Sequence, residues 1–300
     1  MTPGARLAAL GVATAAATGG LAIAWGFAVE RKWFVLRRAV LPCLPAGAPP
    51  LRVLHVSDLH AMPGQPWKTE WVSSLARIEP DFVVNTGDNL ASPDGVPFAL
   101  QALGPLLHFP GGFVPGSNDW FAPVAKNPAR YLLRDNGKRI HGVPLPWNDL
   151  RESFVTSGWL DLTHHRRVIR LRDLFVELAG VSDPHHKADH YDRIAGPVTG
   201  DIGIGLTHSP EPRVVNAFAD DGYGLVVAGH THGGQVRVPA YGALVTNCGL
   251  DRARARGLSQ WSTATWLNVS AGLGTSPYAP VRFSCRPEAT LLTLVARESR

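Results

Sequence analysis

Gly229-His230-Thr231-His232-Gly233-Gly234-Gln235 is the stretch on which the reading of this chain turns. It follows Leu225-Val226-Val227-Ala228, an apolar run with the length and composition of a buried strand. Two imidazoles two residues apart, on a loop after such a strand and before two glycines, can serve one small centre. The same design recurs toward the N-terminus. Ile202-Gly203-Ile204-Gly205-Leu206 reads as a strand and is followed by His208. Gly112-Phe113-Val114 leads into Pro115-Gly116-Ser117-Asn118-Asp119, and Asp81 to Asn85 leads into Thr86-Gly87-Asp88-Asn89. Leu51-Arg52-Val53-Leu54-His55-Val56 leads into Ser57-Asp58-Leu59-His60. An Asp and a His two apart can grip one cation with an oxygen and a nitrogen. Gly87 allows a tight turn that points Asp88 outward, and its carboxylate has two oxygens with which to bridge two cations. Singly, each piece is commonplace, and a lone histidine after a strand more often serves the core. Together they form an ordered set at strand carboxyl ends, where loops of α/β sheets converge on one crevice.

Further strands are expected at Trp266 to Val269 and Leu291 to Val295, and a helix at Glu70 to Ile78. Helices alternate with strands early and strands dominate late, which predicts an α/β sandwich with a mixed sheet. The 300 residues are 45% hydrophobic and 18% charged, as in a folded chain and unlike a disordered one. The net charge of +5 suits an anionic membrane surface or a phosphorylated substrate. Cys43, Cys248 and Cys285 are odd in number, widely spaced and without a C-x-x-C, so free thiols are expected.

Leu7 to Val29 is uninterrupted by charge and long enough to span a bilayer as a helix. A signal peptide is the rival reading, but only Arg6 precedes the run, and the pair Arg37–Arg38 follows it. Residues 1–30 therefore read as a single-pass membrane anchor, 31–50 as a basic juxtamembrane segment and Pro-rich linker, and 51–300 as the catalytic domain. Arg31, Lys32, Arg37 and Arg38 after the span place that domain in the cytoplasm by the positive-inside rule.

Asp58-Leu59-His60, Gly87-Asp88, the 116–119 loop, His208 and Gly229-His230-Thr231-His232 resemble the calcineurin-like metallophosphoesterase superfamily. The resemblance covers about residues 51 to 295. The extended 229–235 motif and the anchor resemble a bacterial membrane-associated branch that includes the UDP-2,3-diacylglucosamine pyrophosphatases. The resemblance implies two mixed β-sheets flanked by helices, preceded here by one transmembrane helix. It implies two divalent ions, with N/O ligation suiting Mn, Fe, Zn or Co. Asp58, His60 and His232 would hold the first, Asp88 would bridge, and Asn118, His208 and His230 would hold the second. Asp88, Asn118, Asp119 and His208 are the candidate catalytic residues. The paired ions would lower the pKa of a shared water, whose hydroxide attacks phosphorus in line with the leaving oxygen.

The third loop departs from the family's usual Gly-Asn-His-Asp/Glu. Without a gap, Ser117 replaces the ligand Asn and Asn118 the His that assists the leaving group. With one inserted residue, Asn118 remains a ligand and Asp119 takes the His position; this is preferred because Asn is the better oxygen donor. Either way the usual catalytic His is missing, a group that typically contributes about 10²–10⁴ in rate. That favours leaving groups of low pKa: a phosphodiester or a diphosphate, on a small phosphorylated molecule or a lipid. A UDP-2,3-diacylglucosamine pyrophosphatase-like activity, a weakly catalytic metal-binding scaffold and a membrane assembly factor are the alternatives. Asp119 and Asn89 are candidates to orient the ligands.

Three other features stand out. Asp183, His185 and His186 would rim the site or be merely solvated. Arg252, Arg254 and Arg256 would meet substrate phosphate or form a solvated face. The stretch Phe121 to Trp159 mixes Arg130, Arg134, Lys138 and Arg139 with Trp120, Tyr131, Trp147 and Trp159, and reads as a membrane-contacting lid or a surface insertion. No nucleic-acid fold signature accompanies that mix, so a nucleic-acid partner is set aside.

Overall fold

Strand β2 (Leu51–Val56) sends alternate side chains to two different cores, and that alternation sets the layering. Leu54 and Val56 pack with the outer helices, whereas Val53 packs between the sheets. The computed structural model describes residues 2–125 and 140–298. In the first sheet the order is β1 (Val35–Leu44), β14 (Glu288–Ala296), β2, β3 (Phe82–Asn85), β4 (Gly111–Phe113) and β5 (Leu160–Asp161). The second runs β12 (Gly257–Gln260), β13 (Trp266–Val269), β9 (Leu225–Ala228), β8 (Ile202–Leu206), β7 (Leu174–Gly180) and β6 (His165–Leu171). Both are mixed: β2–β3–β4–β5 and β7–β8–β9–β13 are parallel, while β14–β2, β6–β7 and β12–β13 are antiparallel.

Helices α2 (Pro66–Ser74), α3 (Gly95–Leu103) and α5 (Trp147–Thr156) cover the first sheet through Val72, Leu103, Leu150 and Phe154. Helix α6 (Pro212–Asp220) covers the second through Val214, Val215 and Phe218. The order is helices, sheet, sheet, helix. The helix expected from Glu70 starts earlier, because Pro66 is well placed in a first turn, and its last residues, 75–78, tighten into a 3₁₀ turn. Trp147 and Trp159 belong to the core around α5. Their aromatic character therefore serves packing, and Arg130, Tyr131, Arg134, Lys138 and Arg139 lie outside the described residues.

Helix α1 (Pro3–Ala28) is long and apolar enough to cross a membrane, and its apolar side chains are exposed along most of its length. The stretch after it differs from the linker expected there. Val35 to Leu44 form β1, parallel to β14 from Val35↔Glu288 onward. A strand carrying Arg37, Arg38 and Pro42 is atypical, but β1 is an edge strand, where a missing N–H and outward charges are tolerated. The sheet therefore begins well before residue 51. The end of α1 also touches the rest of the chain directly. The Arg282 N–H donates to the Gly26 carbonyl at 3.3 Å, and Glu30 accepts from the Ser284 (2.9 Å) and Cys285 N–H groups. Two short strands, β10 (Arg237–Val238) and β11 (Gly242–Ala243), form a separate hairpin after the 229–235 motif. A short α4 (Ser117–Trp120) carries the third loop.

Candidate metal centre and active site

The loops after β2, β3, β4, β8 and β9 meet at one end of the sandwich. Asp58, His60 and His232 bring one ligand atom each within 4.8 Å of one another, and so do Asp58, Asp88 and His208. Asp88 sits between two histidines, with Oδ2 3.7 Å from His60 Nε2 and Oδ1 3.5 Å from His208 Nε2. Asp58 Oδ1 is 3.7 Å from His232 Nε2, and the Nε2 atoms of His60 and His232 face each other across 3.3 Å.

The backbone is bent to achieve this. Asp58, His60, Asp88, His230 and His232 all have φ between 45° and 68°, in the left-handed region. Each such residue costs about 1–2 kcal/mol, and such outliers persist where surrounding structure over-determines them. Close approach matters as well: a Cβ on Gly229 would lie 2.0 Å from Ser57 Oγ, and one on Gly116 would lie 2.3 Å from Asp88 Oδ1.

Hydrogen bonds decide which ring atoms face the centre. His208 Nδ1–H donates to the Thr86 carbonyl at 2.7 Å, which leaves Nε2 buried without a hydrogen-bond partner among the described residues. His230 Nε2–H donates to the Asn247 carbonyl at 3.1 Å, so Nδ1 is its free acceptor. Burial lowers His60 to about 4, lowers His230, and holds His232 well below its ordinary value. These imidazoles are therefore neutral, as ligation requires. Burial alone would raise Asp88, but His208, His60 and the Asn118 hydrogen bond together outweigh it and keep the carboxylate charged. The reciprocal holds at His208, where burial would lower the imidazole but Asp88, with Asp183 and Asp58, raises it well above its usual value. Two buried carboxylates thus draw a positive charge to this point. A divalent cation meets that demand on the N/O donor set present, so the residues fit a metal.

Asn118 donates to Asp88 twice, through its backbone N–H (2.7 Å) and through Nδ2 (2.7 Å). Asp119 does not take the place of the missing histidine. It is fully buried, and its carboxylate accepts from the backbone N–H groups of Asp88 (2.9 Å), Asn89 (2.8 Å) and Gly116 (2.9 Å). It ties the second loop to the third and does not line the cavity. Asn89 accepts from Asn85 Nδ2 at 2.8 Å and braces the same turn.

A buried relay supports the other carboxylate, and sequence reasoning missed it. Asn268 Nδ2 donates to His55 Nδ1 (2.9 Å), so His55 Nε2–H donates to Thr86 Oγ1 (2.9 Å). Thr86 donates to Ser57 Oγ (2.7 Å), and Ser57 donates to Asp58 Oδ2 (2.7 Å). Every donor in the relay points toward Asp58. Burial lowers His55 to about 3, so it is neutral. The available signal was a histidine inside an apolar strand, which must find partners when buried. Lys68 and Arg282 were also missed. Lys68 is buried and donates to the carbonyls of Leu59 and His60 (2.9 Å). Arg282 is fully buried and donates to the carbonyls of Ala271 (2.7 Å), Gly272 (3.1 Å) and Gly274 (2.7 Å).

The centre forms part of the wall of a cavity of about 730 Å³. Phe121, Val124, Ile140, Val236, Leu244 and Val245 give the cavity apolar walls. A row of histidines leads along it from the centre. His185 lies 4.6 Å from His230 between ring centroids, and His186 follows at 5.6 Å. His141 Nε2 is 3.3 Å from His186 Nδ1. Arg252 and Arg256 do not line this cavity, and Arg254 is engaged with Ser259 (2.9 Å) and the Gln260 carbonyl (2.8 Å).

Comparison with known proteins agrees with this geometry. The family model described as calcineurin-like phosphoesterase matches residues 51–234. The uncharacterized protein YpbG of Bacillus subtilis is 28% identical over 84% of this chain and 84% of its own length. Phosphodiesterase YaeI of Escherichia coli is 24% identical over 89% of this chain and 90% of its own. A bovine transmembrane protein with a metallophosphoesterase domain is 28% identical over 84% of this chain and 55% of its own. Matched over well more than half its length, with the Asp and His groups gathered where such a centre needs them, this chain belongs to the calcineurin-like phosphoesterase family, whose members hydrolyse phosphoester bonds.

Proposed function

We propose that this protein is a membrane-anchored, two-metal hydrolase of phosphodiester or diphosphate bonds in amphiphilic substrates. The observation that carries the reading is the cavity: ionic at the centre, apolar along its walls, and roomy enough for a lipid-linked phosphate. Bound divalent cations supply Lewis acidity and a hydroxide nucleophile at neutral pH. Asp58, His60 and His232 would hold one ion, Asn118, His208 and His230 the other, and Asp88 would serve both. Asn118 holds Asp88 in register, and the relay from Asn268 holds Asp58. Apolar walls exclude water and strengthen these interactions. Residues 1–30 act as the anchor, and the arginines that follow favour a cytoplasmic catalytic domain.

The third loop offers no histidine, so the leaving oxygen depends on its own low pKa or on the His185–His186–His141 row. Phosphodiesterase YaeI supports an ester with two substituents. The test is hydrolysis of bis-p-nitrophenyl phosphate by the purified full chain, stripped of metal and then supplied with Mn²⁺. Metal-dependent turnover is expected, with a phospholipid or lipid diphosphate preferred over its water-soluble headgroup analogue. Equal rates on the two would sink the amphiphile reading. Two bound ions without turnover on any ester would point to a scaffold.

A further inference from the structure

The hairpin β10–β11 stands between two hollows. One side closes the catalytic cavity with Val236 and Leu244. The other covers a second pocket of about 480 Å³, lined by Arg237, Arg252, Arg256, Tyr241, Ser284 and Asp251. Three arginines and one carboxylate line it; Asp251 already accepts the Ala253 N–H at 2.9 Å, and Arg237 donates to the neutral Gly233 carbonyl at 2.8 Å. Among the described residues Arg256 makes no ion pair and no side-chain hydrogen bond. Arg252 instead lies over the Tyr241 ring at 5.3 Å. The pocket is therefore short of negative charge.

Its position relative to the anchor gives that shortage meaning. The Phe283 N–H donates to the Gln235 carbonyl (3.0 Å) and the Arg237 N–H to the Phe283 carbonyl (2.9 Å), so the hairpin is sewn to residues 281–285. Those residues are in turn bonded to Gly26 and Glu30, at the end of α1. Ser284 both lines the pocket and donates to Glu30. A helix of 26 residues is about 39 Å long, against a hydrocarbon layer of about 30 Å, so its last turns emerge at headgroup depth. Trp25 and Trp33 are exposed at that level, in an edge-to-face pair at 6.4 Å. On the hairpin, Val238 is 44% and Tyr241 62% exposed, and Val236, Leu244 and the nearby Tyr278 are exposed too. Apolar tips over a basic pocket, held to the end of a membrane helix, match the chemistry of the bilayer interface.

We propose that the β10–β11 hairpin rests in the interface of the bilayer and that the arginine pocket beside it holds the phosphate of an anionic lipid headgroup. The contact turns the Val236–Leu244 side of the catalytic cavity toward the lipid, so that an amphiphile enters without crossing water. The inference rests on α1 being a membrane anchor.

The experiment uses the full chain reconstituted in vesicles of phosphatidylcholine and phosphatidylglycerol, with nitroxide labels at Val238→Cys, Leu10→Cys and Val168→Cys. Collision with oxygen, relative to a water-soluble nickel chelate, reports lipid contact. The expected ratio at Val238→Cys approaches that at Leu10→Cys in the anchor and exceeds that at the exposed Val168→Cys on β6. A water-like ratio at Val238→Cys beside a lipid-like Leu10→Cys overturns the proposal. A water-like Leu10→Cys refutes the anchor itself. In the second arm, the preference for spin-labelled phosphatidylglycerol over phosphatidylcholine should fall about fivefold for each of Arg252→Gln and Arg256→Gln. Hydrolysis of bis-p-nitrophenyl phosphate should stay unchanged in both variants. An unaltered lipid preference removes the headgroup site.

Discussion

The two halves of the metal centre are held in different ways. Around Asp58, a hydrogen-bonded relay reaches through Ser57, Thr86 and His55 to Asn268, joining both sheets through buried side chains. Around Asp88, support comes from the third loop, where Asn118 and the backbone contacts of Asp119 hold the turn. One half is braced by the core and the other by a short segment whose sequence departs from the family. Departure is tolerated where few residues share the load, because a change there disturbs a loop and leaves the sheet packing alone.

The largest effect should come from the residue both halves share. Asp88→Asn is expected to lower kcat/KM on bis-p-nitrophenyl phosphate by about 10³ or more, since this carboxylate is the one proposed to serve both ions. Metal content measured alongside should fall; full loading with full activity would break the comparison. Next comes Asp119→Ala, which strands three buried N–H groups. At about 1–3 kcal/mol for each unsatisfied group, unfolding in denaturant should shift by several kcal/mol. Restoring the usual loop with Ser117→Asn plus Asn118→His tests the same half in the other direction. Turnover of esters with alkyl leaving groups should rise by about 10–10², with little change for p-nitrophenolate. A uniform change for all leaving groups would mean that the loop positions metal and does not deliver a proton.

The relay half should respond more gently. Ser57→Ala is expected to weaken binding at the proposed Asp58 site about tenfold, as loss of an orienting partner does, while the proposed His208 site is unaffected. Calorimetric titration with Mn²⁺ would separate the two sites. The smallest effect concerns acidity. His55 is neutral when folded, with its pKa lowered to about 3, whereas the unfolded chain takes up a proton near 6.5. Between these values the unfolded state binds more protons, so the stability this group contributes declines as pH falls from about 6.5 toward 3. His55→Gln should flatten that part of the stability profile of the metal-free protein; an unchanged slope would assign the acid sensitivity elsewhere.

Much of this was legible in the sequence. Strands β2, β3, β8, β9 and β13 lie where apolar runs end in chemically distinctive loops. The ligand groups could be named because a metal centre demands particular side chains at short spacing after strands. Among the missed strands, β7 is an interior strand whose apolar run was passed over, whereas β1 and β6 share a physical cause. β1 carries two arginines and a proline at a sheet edge, and β6 is a mostly exposed edge strand with Arg166, Arg167 and Arg170 among its seven residues, so neither shows an uninterrupted apolar run. Edge strands need only one partner, and their identity comes from that partner.

By itself, the sequence determined the strand-and-loop order, the residue types of the centre and an apolar segment able to span a bilayer. Only the tertiary structure decided that Asp119 braces backbone instead of facing the cavity. Only it brought His55 and Asn268, 213 residues apart, into one relay, and set the pocket of Arg237, Arg252 and Arg256 beside the end of α1. The physical reason is range. Local periodicity and turn chemistry act over a few residues, whereas hydrogen-bond satisfaction and burial are settled by whichever distant segment the packing brings alongside.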